Sequence, residues 1–217
     1  MQTLTQQIIE LGMADRVLSD AQLRRLVVGS AQRRYHLVHR AMAAGELLRL
    51  RRGRYALARA FRAQAAHPFA LAQAFDAGSY VSFETALAHH GWIPESVPEI
   101  ASVTPGRKSI TCEGSAFGTF SFHPLALWPG NFLVLVERVE FAGLAALVAR
   151  PARALLDLVC LRKEEWQGPD WLTEGLRIDR EQLRTVTGAD IRWLRGVYRQ
   201  QRVQRFLTGL AREFGHD

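Results

Sequence analysis

One stretch constrains the fold of this chain more than any other. It covers residues 23–58 and reads LRRLVVGSAQRRYHLVHRAMAAGELLRLRRGRYALA. The pattern predicts the end of one helix, a tight turn at Gly29, a second helix, and a short basic hairpin closed by residues 51–54. This order of elements is that of a winged helix-turn-helix, in which the second helix enters a DNA groove and the hairpin lies on the backbone beside it.

The charge of the chain is concentrated in the same region. The 217 residues include 28 Lys and Arg against 21 Asp and Glu, a net charge of +7. Residues 1–65 alone contain twelve arginines and four acidic residues, a net of +8, which leaves −1 for residues 66–217. This asymmetry predicts an anionic partner such as nucleic acid for the first region. The near absence of lysine also fits the codon bias of a GC-rich genome, so the positions of the arginines are the informative feature.

Length and composition allow one large core or two modest ones. The hydrophobic fraction of 48% is enough for either arrangement. The charge asymmetry favours two domains, and we expect a DNA-binding domain over residues 1–65 and a second domain over residues 66–217. Cys112 and Cys160 have neither the spacing of a metal site nor that of a disulfide framework. The chain begins without a signal-peptide pattern and lacks an apolar run of about 18 residues. A cytoplasmic protein with free thiols and no membrane partner is expected.

The sequence pattern of residues 1–65 predicts three helices. The first covers residues 6–12, with Ile8, Ile9 and Leu11 as its apolar positions. Ser19 and Gln22 have the spacing of a capping box and open the second. The third, over residues 31–44, is predicted to begin after a Ser30 cap.

The exposed face of the third helix supplies the candidate DNA contacts. Gln32, Arg33 and His36 are predicted to reach base edges, with Arg34 at the border of that face, while Arg40 is placed near phosphates. The hairpin is predicted to turn Leu48, Leu50, Tyr55 and Leu57 inward and its arginines toward phosphates: Arg49, Arg51, Arg52 and Arg54. A charged helix face alone is typical of an ordinary solvated surface, but the preceding turn and the following hairpin favour DNA binding.

The rest of the chain mixes helices and strands. Helices are predicted at residues 69–75, after a Ser82 cap, and from Pro151 onward. Strands are predicted at residues 100–104, 117–122 and 132–141, followed by a helical tail. The fold class is therefore α+β: an N-terminal winged helix-turn-helix followed by a mixed domain with a small sheet and a helical C-terminal region.

Two motifs of the second region resemble a known family. They read YVSFETALAHHGWIP at residues 80–94 and ARPARALLDL at residues 149–158. Together with the arginine-rich winged helix, their order is similar to that of the AbiEi-type antitoxins of type IV toxin–antitoxin systems, over about residues 5–165. The residues that carry the match are Ser82, Ala86, Leu87, Gly91, Pro151, Arg153, Leu155 and Asp157.

The resemblance implies a function for each region. The N-terminal domain would bind inverted repeats in double-stranded DNA and repress its own operon, as a preformed dimer or as two copies that meet on the DNA. The second domain would counteract a nucleotidyltransferase-type toxin without a stable complex. No cofactor, metal or catalytic residue is implied.

Two other functions stay open at this stage. Asp157 with Glu137 and Glu140 could form the metal site of a nuclease that the winged helix targets to DNA, although pairing of Asp157 with Arg153 at the i, i+4 spacing is the simpler interpretation. A repressor whose second domain senses a small ligand is the other. His89, His90 and His123 are interpreted as structural rather than metal-binding. The segment after Trp166 predicts an amphipathic helix over residues 192–212, with a second basic surface as the alternative.

Overall fold

A computed structural model describes residues 2–64, 67–94, 97–115, 118–141 and 144–215. The fold is mixed α+β, as predicted, with one small and one larger β-sheet. No helix in the described ranges is long and apolar enough to cross a bilayer.

The N-terminal region places three helices against a three-stranded antiparallel sheet. The strands lie in the order β1-β3-β2, so that Leu18 of β1 pairs with Tyr55 of β3. The elements are α1 (Leu4–Glu10), β1 (Leu18–Ser19), α2 (Asp20–Leu26), α3 (Ala31–Ala43), β2 (Leu47–Arg51) and β3 (Arg54–Leu57).

Hydroxyl caps set the starts of these helices. Ser19 and Gln22 form the predicted capping box, and the Ser30 hydroxyl accepts from the Arg33 amide at 3.1 Å. A Thr3 cap starts α1 two residues earlier than predicted. That helix buries Ile8, as predicted, whereas Ile9 and Leu11 are exposed, so the prediction was wrong at these two positions.

The hairpin register also differs from the prediction. The prediction puts Leu48 and Leu50 on the same inward face as Tyr55 and Leu57. In the structure Leu47 pairs with Leu57 and Leu48 pairs with Ala56, so the register differs by one residue. Because strand side chains alternate between faces, this shift changes which of them point inward. Leu47 and Leu57 join the small core with Ile8, Leu18 and Leu23, whereas Leu50 and Ala56 join the core of the second region.

The second region is built on a six-stranded mixed sheet in the order β6-β7-β5-β4-β9-β8. The pairs β5–β7 and β4–β9 are parallel and the other neighbours are antiparallel. The strands are β4 (Tyr80–Val81), β5 (Glu99–Val103), β6 (Ile110–Ser115), β7 (Gly118–His123), β8 (Val136–Phe141) and β9 (Leu144–Ala149).

One helix, α6, lies at the centre of the larger core. It is buried continuously from Ala152 to Cys160, as expected of a helix that is covered on all sides. The helices of this region are α4 (Pro68–Phe75), α5 (Phe83–His89), α6 (Pro151–Arg162), α7 (Arg180–Arg184), α8 (Gly188–Arg195) and α9 (Gln201–Phe214), with a 3-10 turn at Arg59–Phe61 and a π-helical turn at Trp171–Gly175.

Several predicted boundaries in this region were wrong. The strand predicted from residue 132 begins at Val136, and the strands β6 and β9 were missed. The long tail helix is two helices separated by residues 196–200. Residue 117 and the predicted domain boundary at residues 65–66 lie outside the described residues.

Candidate nucleic-acid interface

The outer side of α3 presents most of the predicted contact residues to solvent. Gln32, Arg33, His36 and Arg40 are exposed, and Arg34 is half-buried. The opposite side buries Leu37 and Ala41 in the small core. The helix is thereby fixed in the fold while its polar face stays accessible.

A concave surface of about 620 Å³ lies between α2, α3 and the hairpin. It brings Arg34 of α3 together with Arg49 of β2 and Arg24 of α2. Its lining is Asp20, Leu23, Arg24, Ala31, Arg34, Tyr35, Val38, His39, Met42, Arg49 and Tyr55. The sequence pattern places His39 on the polar face of this helix and Tyr35 at its border, although neither was named as a DNA contact, and Arg24 was missed. Tyr35 is 64% exposed.

The predicted residues of α3 therefore divide between different sides of the helix. Arg34 faces the hairpin, whereas Arg40 lines a separate recess beside α1 with Thr3 and Glu46. The helical repeat places Gln32 and His36 between these two sides, pointing outward. One nucleic-acid partner that covers the outward side could touch the residues on both flanks.

The four hairpin arginines do not behave alike. Arg49 and Arg52 are exposed, but Arg54 Nε donates to the carbonyl of Ala74 in α4 at 3.0 Å. Burial raises the pKa of the Cys112 thiol in β6, and Arg51 lies close enough to oppose that shift. The prediction that all four arginines line a free hairpin surface is corrected, because Arg51 and Arg54 lie toward the second region, where Leu50 and Ala56 also pack.

The turn of the hairpin is held against the start of α2. The Asp20 amide donates to the Gly53 carbonyl at 3.2 Å. Gly53 has a φ of +74°, and a β-carbon there would stand 2.9 Å from Asp20 Oδ2. Burial, and then the Asp20 carboxylate, raise the pKa of Tyr55. Only glycine suits this turn, since a side chain would be strained and would displace Asp20.

A fully buried ion pair lies at the centre of the second region. Arg153 Nε contacts Asp157 Oδ1 at 2.9 Å, and both side chains are 0% exposed. The i, i+4 pair predicted on α6 is confirmed. Arg153 also donates to the carbonyls of Val134 at 2.9 Å and Asn131 at 3.3 Å. The guanidinium thus ties α6 to the loop that precedes β8.

Three hydroxyls complete the bonds of the Asp157 carboxylate. Tyr198 donates to Oδ1 at 2.7 Å, while Ser82 and Tyr80 donate to Oδ2 at 2.7 and 2.9 Å. Ser82 stands at the start of α5 but makes no side-chain cap, which corrects its predicted role. Its hydroxyl is used by Asp157 instead, and so the two motifs of the resemblance meet at one carboxylate.

The ionisation of this cluster follows from its burial. Burial, and then the Asp157 charge, raise the pKa of both Tyr80 and Tyr198 well above the usual value. Burial acts to lower the pKa of Arg153, but Asp157 and the two tyrosines outweigh it and hold the pKa above its usual value. The tyrosines therefore stay protonated as donors and the arginine stays charged.

The other motif residues support packing. Ala86, Leu87 and Leu155 are completely buried in the larger core. Gly91 follows α5 with a φ of +71°, and Pro151 occupies the first turn of α6. These positions explain the motif as a structural signature rather than as a set of reactive groups.

The carboxylates that a nuclease would need are not assembled together. Glu137 pairs with Arg150 at 3.2 Å and Glu140 with Arg138 at 3.4 Å, and all four are exposed or nearly so. Asp157 is enclosed by its own donors. Among the described residues, no group of three His, Cys, Asp or Glu side chains is placed to hold a metal ion.

The three histidines considered for a metal site have separate surroundings. His90 Nε2 lies 2.9 Å from the carbonyl of Ala149. His89 packs edge-on against Phe69, and His123 packs edge-on against Phe83. Each ring is thus accounted for by local packing or hydrogen bonding.

No model of a protein family matches the chain, and a search of curated proteins finds no match.

Proposed function

We propose that the chain binds double-stranded DNA through its N-terminal region, acting as a winged helix-turn-helix. The observation that carries the proposal is the exposed cationic face of α3 beside a basic hairpin, with β1 pairing to that hairpin. The succession α1-β1-α2-α3-β2-β3 is the order found in winged helices. A 13-residue helix is about 20 Å long and fits the major groove of B-DNA.

The geometry supports a division of labour on the DNA. In this proposal Gln32, Arg33 and His36, which are exposed on α3, read base edges, and Arg34 adds a contact from the concave surface. Arg40, Arg49 and Arg52 lie at the flanks, where phosphates of the two strands would pass. Tyr35 and Arg24, which also line the concave surface, would add further contacts.

We further propose that the protein represses its own operon through inverted repeats and acts as the antitoxin of a type IV pair. The support is the resemblance of the motifs at residues 80–94 and 149–158, together with the contact between their Ser82 and Asp157 side chains. The partner would be a nucleotidyltransferase-type toxin that needs no stable complex. Two copies of the chain would occupy the two half-repeats.

DNA binding is tested with fragments of the chain's own promoter and with random duplex over a range of salt. Arg49→Ala should weaken binding to both duplexes, because one phosphate contact is lost. The salt slope, which is the slope of the logarithm of affinity against the logarithm of salt concentration, should become shallower by about one unit. Gln32→Ala should mainly reduce the preference for the promoter. Arg138→Ala, an exposed arginine on β8, is the matched control and should change neither. Equal losses on both duplexes from every α3 substitution would contradict the division of labour.

The antitoxin proposal is tested by growth rescue. The chain is expressed from an unrelated promoter while the neighbouring gene, which the proposal expects to encode a nucleotidyltransferase-type toxin, is induced. Rescue should persist in Gln32→Ala, because protection is assigned to the second region. Absence of rescue by the wild-type chain, with DNA binding intact, would leave a repressor without an antitoxin role.

A further inference from the structure

The net charge of −1 over residues 66–217 hides two opposite parts. Residues 66–190 have a net charge of −5, whereas residues 191–212 contain six arginines and no acidic residue. This second segment covers the end of α8, the turn after it and most of α9. The chain therefore has a second cationic segment, at residues 191–212, that is distant in sequence from the predicted DNA-binding region at residues 1–65.

Two tryptophans are exposed in or near this segment. Trp193 of α8 is 64% exposed and is next to the exposed Arg192, while the exposed Arg195 projects from another side of the helix. Trp128 is 52% exposed, and the guanidinium carbon of Arg199 lies 5.2 Å from the centre of its ring. We refer to these five residues as the arginine–tryptophan surface. Tryptophan is enriched at binding interfaces, where its large ring contacts a partner.

The backbone beneath this surface is firmly held. The Trp128 amide donates to the Val197 carbonyl at 2.8 Å, and the Arg199 amide donates to the Ala126 carbonyl at 3.0 Å. The Asn131 side chain donates to the Gly196 carbonyl at 2.9 Å. Trp128 and Arg199 therefore project from two backbone segments that are hydrogen-bonded to each other, and the segment that contains Arg199 directly follows α8.

The surroundings do not neutralise the arginines. The loop at residues 124–135 contains no charged residue. Asp190 at the start of α8 is buried and accepts from Thr187, with Arg150 beside it at 3.5 Å. Within the described parts of the chain, no ion pair involves Arg192, Arg195 or Arg199. The surface is complementary to an anionic ligand.

We propose that the arginine–tryptophan surface binds single-stranded nucleic acid. Exposed indole rings flanked by arginines are suited to stack with unpaired bases while the guanidiniums contact the phosphates. In a duplex the bases are already stacked, so the rings would add nothing there. An anionic membrane fits less well, because α8 buries Ile191 and Leu194 and has no apolar face left to insert.

This inference is independent of DNA binding by α3. Each of the five tryptophans of the chain lies after residue 91, and residues 1–65 contain none. Quenching of tryptophan fluorescence therefore reports on the second region, whereas binding by the hairpin and α3 does not place a base against a tryptophan. Failure of one proposal can be recognised while the other holds.

The test uses the full chain with 20-nucleotide oligo(dT), oligo(U) and a duplex of equal length. Both single strands should quench the fluorescence more than the duplex does, and their relative affinities show whether DNA or RNA is preferred. Trp193→Ala should weaken single-strand binding about tenfold, the loss expected for one stacked base. Trp193→Phe should keep most of the affinity but lose the part of the quenching that Trp193 contributes, leaving that of Trp128. Arg192→Ala with Arg195→Ala should weaken binding and lower its salt dependence.

Matched controls separate this surface from general charge. Arg184→Ala removes an exposed arginine of α7 that is paired with Glu181 and should leave binding unchanged, as should Arg49→Ala for the quenching signal. Unfolding curves verify that each variant is folded. The proposal is overturned if Trp193→Ala binds as tightly as the wild type, if duplex and single strands quench equally, or if only phosphatidylserine vesicles, and no oligonucleotide, perturb Trp193.

Discussion

The exposed hairpin arginines of the N-terminal region and the buried Arg153 of the second region are in opposite environments. In the N-terminal region Arg49 and Arg52 stand exposed on the hairpin. In the second region Arg153 is 0% exposed, bonded to Asp157 and to carbonyls of the loop before β8. The same type of side chain thus presents its charge to solvent at the hairpin and organises the interior at Arg153.

The difference teaches what a substitution should measure in each region. A solvent-exposed arginine contributes little to stability, so its removal reports on binding. A buried arginine leaves an uncompensated carboxylate behind when it is removed, so its loss reports on folding.

Removal of one member of the buried pair should be the most destabilising change. Arg153→Met leaves Asp157 buried without its cation, and we expect the free energy of unfolding to fall by about 3–5 kcal/mol. Urea unfolding followed by circular dichroism measures this loss. If the purified variant is unfolded throughout, the same conclusion follows from its spectrum without denaturant.

Two further variants test the cause. Arg153→Met combined with Asp157→Leu removes both charges and should recover a large part of the lost stability, because no buried charge is then left unpaired. Arg138→Ala breaks an exposed pair and should change the stability by less than about 0.5 kcal/mol. A single Arg153→Met variant as stable as Arg138→Ala would show that the burial argument is wrong.

The sequence predicted the part of this cluster that is local. Arg153 and Asp157 are four residues apart on one helix, so their contact follows from helix geometry. Tyr80, Ser82 and Tyr198 come from segments that are distant in sequence and reach Asp157 only through the packing of β4, α6 and the turn after α8. No spacing rule relates residues 82 and 157, and for that reason Ser82 was interpreted as a helix cap.

The hairpin shows a similar limit. The pattern of residues 47–57 correctly predicted two strands and a turn at Gly53, since glycine and alternating residues are local signals. The register was wrong by one residue because both faces of the hairpin are apolar: Leu47 and Leu57 face one core, and Leu50 and Ala56 face the other. An alternating pattern identifies one buried face, and it cannot identify a strand that is covered on both sides.

Two serines at helix starts extend the comparison between exposed and buried polar contacts. Ser30 accepts from the Arg33 amide as an ordinary cap, and Ser30→Ala should cost about 1 kcal/mol. Ser82 donates to the buried carboxylate of Asp157, and Ser82→Ala should cost about 1.5–3 kcal/mol, because hydrogen bonds to charged groups are stronger. Thermal and urea unfolding of the two variants compare these losses, and a larger loss in Ser30→Ala would contradict the assignment of Ser82.

The smallest effect should separate two arginines of the same hairpin. Arg54→Ala loses the bond to the Ala74 carbonyl, so we expect a loss of stability of about 0.5–1.5 kcal/mol with little change in the salt slope of DNA binding. Arg49→Ala should do the reverse, with stability within about 0.5 kcal/mol of the wild type and the salt slope lower by about one. Urea unfolding and DNA titrations on both variants measure the two quantities side by side.

If Arg54→Ala also lowers the salt slope by one while leaving stability intact, the hairpin contacts DNA without being fixed to the second region, and its bond to α4 does not contribute to stability. The opposite result means that the second region fixes the angle of the hairpin, so that a partner bound to the second region could alter DNA binding without touching α3.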